Sequence, residues 1–170
     1  PYKMYQFFIN QTDEDAIRYL KIFTFLTKEE INEVEKEHLA NLGARIGQKR
    51  LAYEVTKIIH GEEKANEAVM MSNALFSGEF TKLNKEQILE LFNSIKFSFN
   101  ENQLLEDILI NIKAASSKRE AREFIKNGAI TVNNQKMIDP NKTFNKDELI
   151  ANSFLIIRRG KKNFYLVELN

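Results

Sequence analysis

The sequence predicts an α+β chain in three parts: a small helical bundle over residues 1–80, a connector with one short helix over 81–102, and a small α+β domain over 103–170. Three observations carry this reading. The first 80 residues place apolar side chains at helical spacing between ordinary start and stop signals, with no strand alternation. From Leu104 two short helices give way to β-branched and aromatic runs punctuated by Asn and Gly. Charge divides the chain at nearly the same place. Residues 1–116 carry 14 Lys and Arg against 18 Asp and Glu, and residues 117–170 carry 11 against 6. That imbalance is expected of a polyanion-binding module joined to an ordinary domain.

In chain order, Asp15 to Phe23 sets Ile17, Leu20 and Phe23 along one helical face. Thr27 and Glu30 have the spacing of a capping box, opening a helix that turns Ile31 and Val34 inward. Gln48 to His60 follows with Leu51, Val55, Ile58 and Ile59 as its apolar stripe and Gly61 as a left-handed stop. Ala65 to Phe76 repeats the arrangement and ends at Gly78. Asn84 and Gln87 form a second capping box ahead of Ile88, Leu89, Leu91 and Phe92. Phe97 to Asn100 is expected to be extended and to dock its aromatics, and the polar run from Asn100 to Gln103 marks a domain boundary. Beyond it come helices over 104–112 and 118–127, the second closed by Gly128. A hairpin then pairs 129–132 with 136–138 around Asn133-Asn134, and a further strand pair, 154–159 and 163–167, turns at Gly160.

Composition closes off several functional classes. The chain has 170 residues, 43% hydrophobic and 29% charged, enough to bury one sizeable core or two small ones. Its apolar runs fall short of the roughly 20 residues of a membrane span, and Pro1-Tyr2-Lys3 lacks a signal-peptide pattern. These features predict an intracellular, cytoplasmic protein without a membrane partner. With no cysteine, thiolate chemistry and disulfides are excluded. His38 and His60 have no neighbours at metal-ligand spacing, so no metal and no catalytic residue is assigned. A start at Pro rather than Met suggests a piece of a longer protein.

The chemistry sits in the basic tail. Ser117 and Glu120 form a capping box that fixes where the helix beginning at Lys118 starts, and hence its register. At about 100° per residue, Arg119, Arg122 and Lys126 share one sector while Ala121, Phe124 and Ile125 face the core. Free N–H groups at the helix start add affinity for anions. A second cluster, Arg158-Arg159-Gly160-Lys161-Lys162, gathers four cations at a hairpin turn. Their mutual repulsion makes sense if a phosphate backbone supplies the counter-charge, although a charged hairpin tip also protects a sheet edge on its own.

The runs 117–122, 127–133, 158–162 and Phe164-Tyr165 resemble the RNA-binding domain shared with ribosomal small-subunit protein four, in the version that ends bacterial tyrosyl-tRNA synthetases. Upstream, residues 1–10, 17–26, 48–52, 55–57, 60–63 and 74–78 resemble that family's exit from the catalytic domain and its helical anticodon-binding domain. The resemblance covers essentially the whole chain. It implies a cytoplasmic ligase that joins tyrosine to its tRNA with ATP and magnesium and works as a homodimer through its catalytic domain. It also implies that this region, in which the family's two ATP-handling signatures are not found, is inactive alone, needs no cofactor and is monomeric. The family's contacts with the anticodon arm of tyrosine tRNA fall on Arg119, Arg122, Arg158, Arg159, Lys161 and Lys162. Lys118 and Lys126 on the same helix and Asn133 in the hairpin turn complete the candidate set. The chain departs from the family at Phe8, where Trp is usual, and at Asn134, where Gly usually completes the turn.

Lys49 and Arg50 are read as solvated helix residues, and the 13 Phe as core; a base-stacking Phe164 or Tyr165 beside the basic turn is the exception considered. Two other functions are weighed. A ribosome-associated RNA-binding protein without enzymatic activity would use the same basic domain, but the upstream helices argue against it. A protein-interaction bundle finds little support where no large apolar stripe is expected outside the helical cores.

Overall fold

The structure, a computed structural model, describes residues 1–92, 97–160 and 163–170. It divides into two compact units, Pro1–Phe76 and Ser77–Asn170.

The first unit is helical: α1 (Tyr2–Ile9), α2 (Asp13–Phe23), α3 (Lys28–Ala40), α4 (Ile46–His60) and α5 (Glu62–Ser77), the last reaching the boundary. Local chemistry sets the starts. The Asp15 N–H donates to Thr12 Oγ1 at 3.1 Å, and at α3 Thr27 and Glu30 satisfy each other's backbone N–H as a full capping box. The polar caps leave the apolar faces free to pack. α4 lies against α1, α2 and α3 and buries Leu51, Ala52, Val55 and Thr56. With Ala16, Ile17, Leu20 and Ile31, Leu51 and Val55 form the core, where each fully buried aliphatic side chain contributes about 2 kcal/mol. Two expectations are corrected. Ile58 and Ile59 are 42% and 60% exposed: Ile58 continues the helical face of Leu51 and Val55, but the last turn of α4 is left uncovered. Phe23 is also half exposed, with its ring against those of Phe8 and Tyr19.

The second unit begins with α6 (Lys85–Phe92), whose start Asn84 and Gln87 cap reciprocally. It then carries β1 (Phe97–Phe99), α7 (Leu105–Asn111), α8 (Lys118–Lys126), β2 (Ile130–Val132), β3 (Gln135–Lys136), β4 (Phe154–Arg159) and β5 (Asn163–Leu169). The five strands form one mixed sheet in the order β1-β5-β4-β2-β3. The extended stretch at Phe97 is therefore a sheet member, paired in parallel with β5 through Phe97–Val167 and Phe99–Leu169. The strand expected at 136–138 is shorter than read: β3 ends at Lys136 and Ile138 is 78% exposed.

The hairpin turn forms as the paired asparagines require. Asn133 and Asn134 adopt φ of 48° and 67°, the left-handed pair of a type I′ turn, so Asn134 serves where glycine is usual. Leu155, Ile157 and Val167 from the sheet meet Leu105, Ile108, Leu109, Ala121 and Ile125 from the helices in one core. Gly128 holds φ 67°, a left-handed conformation that favours glycine at the stop of α8.

Candidate nucleic-acid interface

α8 is held by its cap and by α7. The Glu120 N–H donates to Ser117 Oγ at 3.2 Å, as the capping-box reading requires. The reciprocal half differs. The Glu120 carboxylate reaches one residue further back, accepting from the Ser116 N–H and hydroxyl at 2.5 and 2.6 Å. These two bonds hold its pKa below the ordinary carboxylate value and lock the loop that enters the helix.

The exposed face of α8 carries Lys118, Arg119, Arg122 and Lys126, but their electrostatics divide them. Glu106 on α7 is 1% exposed. It accepts from Arg122 Nε at 2.5 Å and from a terminal guanidinium nitrogen at 3.0 Å, and its other neighbour is the Lys118 ammonium at 3.4 Å. Lys118 also pairs with Asp107 at 2.7 Å. The hydrogen bonds from Arg122 lead in holding the Glu106 pKa down, against the opposing effect of burial. The bond to Asp107 leads in raising that of Lys118. Arg122 and Lys118 are thus already neutralised by α7, whereas Arg119 and Lys126 have no carboxylate partner among the described residues. Helical periodicity places the four cations together; the carboxylate that engages two of them comes from another helix.

Strand alternation separates the second basic cluster. Arg159 shares the sheet face of Leu155 and Ile157 and reaches the helices. Its guanidinium donates to the Ala114 carbonyl at 2.6 Å and lies 5.4 Å from the Phe124 ring centre. Arg158 points to the opposite face, 5.9 Å from the ring centre of Phe164, which itself packs against Phe80 and Phe92. Phe164 and Tyr165 are both partly buried, and Tyr165 packs on the core. Lys161 and Lys162 lie outside the described residues. The structure brings Arg159 to the loop entering α8, where it shares a cleft of about 500 Å³ with Lys113, Ser116 and Glu120. Lys113 is absent from the sequence-predicted set. It is exposed and takes a left-handed φ of 58°, a conformation that no flanking glycine or asparagine announces.

Asn133 is engaged inside the fold. Its Oδ1 accepts the Ile156 N–H at 2.9 Å and its Nδ2 donates to the Glu148 carbonyl at 2.7 Å. The unpaired cations Lys113, Arg119 and Lys126 are suited to phosphate oxygens, whereas Arg159, which donates to a neutral carbonyl, is partly offset by the Glu120 carboxylate in the same cleft, whose pKa it helps to lower. No helix among the described residues is long and apolar enough to cross a membrane. The helical unit nevertheless exposes Ile22, Phe25, Leu39 and Phe76 at 60, 88, 67 and 81%.

Comparison with known proteins gives two family profiles in sequence order. Residues 1–77 match tRNA synthetases class I (W and Y), and residues 84–167 match the tyrosine–tRNA ligase SYY-like C-terminal domain. The tyrosine–tRNA ligase of Oceanobacillus iheyensis is 42% identical over 170 residues, covering 99% of this chain and 40% of its own length. That of Leuconostoc mesenteroides subsp. mesenteroides is 44% identical over 169 residues, covering 98% and 40%. A solution structure of a tyrosyl-tRNA synthetase C-terminal domain is 31% identical, covering 54% of this chain and 95% of that one with a TM-score of 0.41. The chain therefore spans about two fifths of the length of these relatives. With identity above 40% running through both units, the chain belongs to the tyrosine–tRNA ligase family and corresponds to its C-terminal region.

Proposed function

We propose that this chain holds the anticodon arm of tyrosine tRNA while the ligase it belongs to attaches tyrosine with ATP and magnesium in the cytoplasm. The observation that supports the reading is that Lys113 and Arg119, at the capped start of α8, have no carboxylate partner among the described residues, with Arg159 brought to the same loop by β4. Such a group binds phosphates without demanding a base sequence, so it supplies affinity and register on the RNA stem, and identity rests on contacts to unpaired bases. The chain's own part is binding and positioning. No chemical step is assigned to its residues, and by itself it is expected to be monomeric and inactive.

Equilibrium binding to tyrosine tRNA and to an unrelated tRNA, at a salt concentration near the physiological ~0.15 M, tests this. The expected result is tighter binding of the tyrosine tRNA, weakened in Arg119→Ala and Arg159→Ala. Equal binding to both would reduce the chain to a general RNA-binding module, and no binding to either would remove the reading altogether.

A further inference from the structure

Of the four basic side chains on the exposed face of α8, α7 answers two. Glu106 turns both carboxylate oxygens to Arg122, accepting from Nε at 2.5 Å and from a terminal nitrogen at 3.0 Å, and lies 3.4 Å from the Lys118 ammonium. Asp107, the next residue, takes Lys118 at 2.7 Å. The two cations are not buried with their partner. Their side chains are 57% and 52% exposed, whereas that of Glu106 is buried. They stay accessible to an RNA while much of their charge is already cancelled.

Stability alone does not call for a carboxylate here. Glu106 sits among Leu105, Ile108 and Leu109, all fully buried, and at such a position an apolar side chain of similar volume is often as stabilising as an ion pair, or more so. The distinctive effect of the carboxylate is on the exposed cations. Non-specific binding of RNA grows with the number of phosphates that free cations neutralise, so cancelling two of them lowers affinity for any RNA. A guanidinium carries five N–H donors in a rigid fork. Glu106 engages two of Arg122's and fixes the plane of the group, which leaves three donors at set angles. A phosphate lying in that plane is still hydrogen-bonded; one lying elsewhere gains little from the cancelled charge. A free arginine would follow the phosphate instead.

We propose that Glu106, assisted by Asp107, determines specificity for RNA: it withdraws the charge of Arg122 and Lys118 from indiscriminate phosphate attraction and leaves Arg122 as an oriented donor that favours one register of the bound stem. Glu106 is a positioning residue, acting through Arg122 without touching the RNA. The proposal rests on the RNA-binding reading above and names the side chain that limits that site to its own partner.

The test measures binding of tyrosine tRNA and of an unrelated tRNA over a salt series, with the 170-residue chain as wild type, Glu106→Gln, Asp107→Asn, Arg122→Ala and the Glu106→Gln/Arg122→Ala pair. Glu106→Gln is assayed well below its melting midpoint, and Asp107→Asn, at a side chain one-third exposed, keeps the comparison open if Glu106→Gln folds poorly. Near the physiological ~0.15 M salt, Glu106→Gln should bind the unrelated tRNA about fivefold more tightly, as for one more phosphate contact with a slope of about −0.9. Tyrosine tRNA should gain no more than about twofold, so the preference narrows. Asp107→Asn should act in the same direction and more weakly, because Lys118 keeps Glu106 beside it. Arg122→Ala should alter the salt slope of wild type by much less than one and that of Glu106→Gln by about one, a difference that a merely structural Glu106 would not produce. Equal gains for both tRNAs, unchanged affinities in both carboxylate variants, or a wild type that binds both tRNAs alike would overturn the proposal while RNA binding stands. If wild type binds neither tRNA, the RNA-binding reading falls with it.

Discussion

Replacing Glu106 by glutamine removes a charge from the least exposed carboxylate in the second unit and separates two roles of the basic helix. In the native fold this side chain accepts two hydrogen bonds from Arg122 and lies 3.4 Å from Lys118. A hydrogen bond to a charged group contributes about 1.5–3 kcal/mol. Glutamine keeps one neutral acceptor and turns an NH₂ group toward a guanidinium that cannot accept. Arg122 and Lys118 are more than half exposed and regain water, which offsets part of the loss. The expected destabilisation is about 2 kcal/mol, or roughly 8–16 °C for a unit of this size. The pH dependence adds a second signature. Because the folded pKa of Glu106 lies below its ordinary value of 4.5, its contribution is complete above that pH and is lost as pH falls through the folded pKa. The gap between wild type and Glu106→Gln, followed by thermal denaturation from pH 7 to pH 3, should therefore close on the acid side. Equal midpoints at pH 7, or a gap that persists unchanged at pH 3, would refute the assignment of Glu106 as the residue that ties α7 to α8.

Three further outcomes follow from the same geometry. Asn133→Ala removes both carboxamide bonds and places alanine at φ 48°. It should cost about 2–4 kcal/mol by denaturant titration, while RNA affinity under folding conditions stays within about twofold; a larger loss of affinity without loss of stability would return Asn133 to the RNA contacts. Leu20→Ala empties a fully buried position in the first unit, a change of about 2–5 kcal/mol. Hydrogen exchange should report it in α2 and α4 and leave α7 and α8 protected if the two units open independently. Light scattering of the chain should give a monomer, and a dimer would place subunit contacts in this region.

Much of this architecture is legible in the residues because its signals are local. Thr27 with Glu30 and Asn84 with Gln87 announce helix starts three residues ahead, and Asn133-Asn134 announces its turn, since few side chains tolerate the conformation it needs. The features that the residues leave unread are non-local. β1 is three residues long and finds its partner β5 some seventy residues away, so nothing near Phe97 marks it as a strand. Arg122 faces a carboxylate sixteen residues earlier, and helical periodicity cannot report a charge on a neighbouring helix. The separation of Arg158 from Arg159 was available in principle. Successive strand residues point to opposite faces, and with Leu155 and Ile157 in the core, Arg159 had to lie on the helix side and Arg158 away from it. Ile58 and Ile59 illustrate the opposite limit: apolar residues at roughly helical spacing do not say whether a neighbour covers that turn.

The central claim is that the cations left unpaired around α8 bind an RNA phosphate backbone, and the salt dependence of binding tests it most directly. With tyrosine tRNA, the logarithm of affinity against the logarithm of salt concentration should fall with a slope of roughly −3 to −5 for four to six neutralised phosphates. Arg119→Ala should make it shallower by about one, with an unchanged melting midpoint, whereas Arg122→Ala should change it less because Glu106 already neutralises that charge. A slope near zero in wild type, or one that Arg119→Ala leaves untouched while Arg122→Ala abolishes it, would contradict the account.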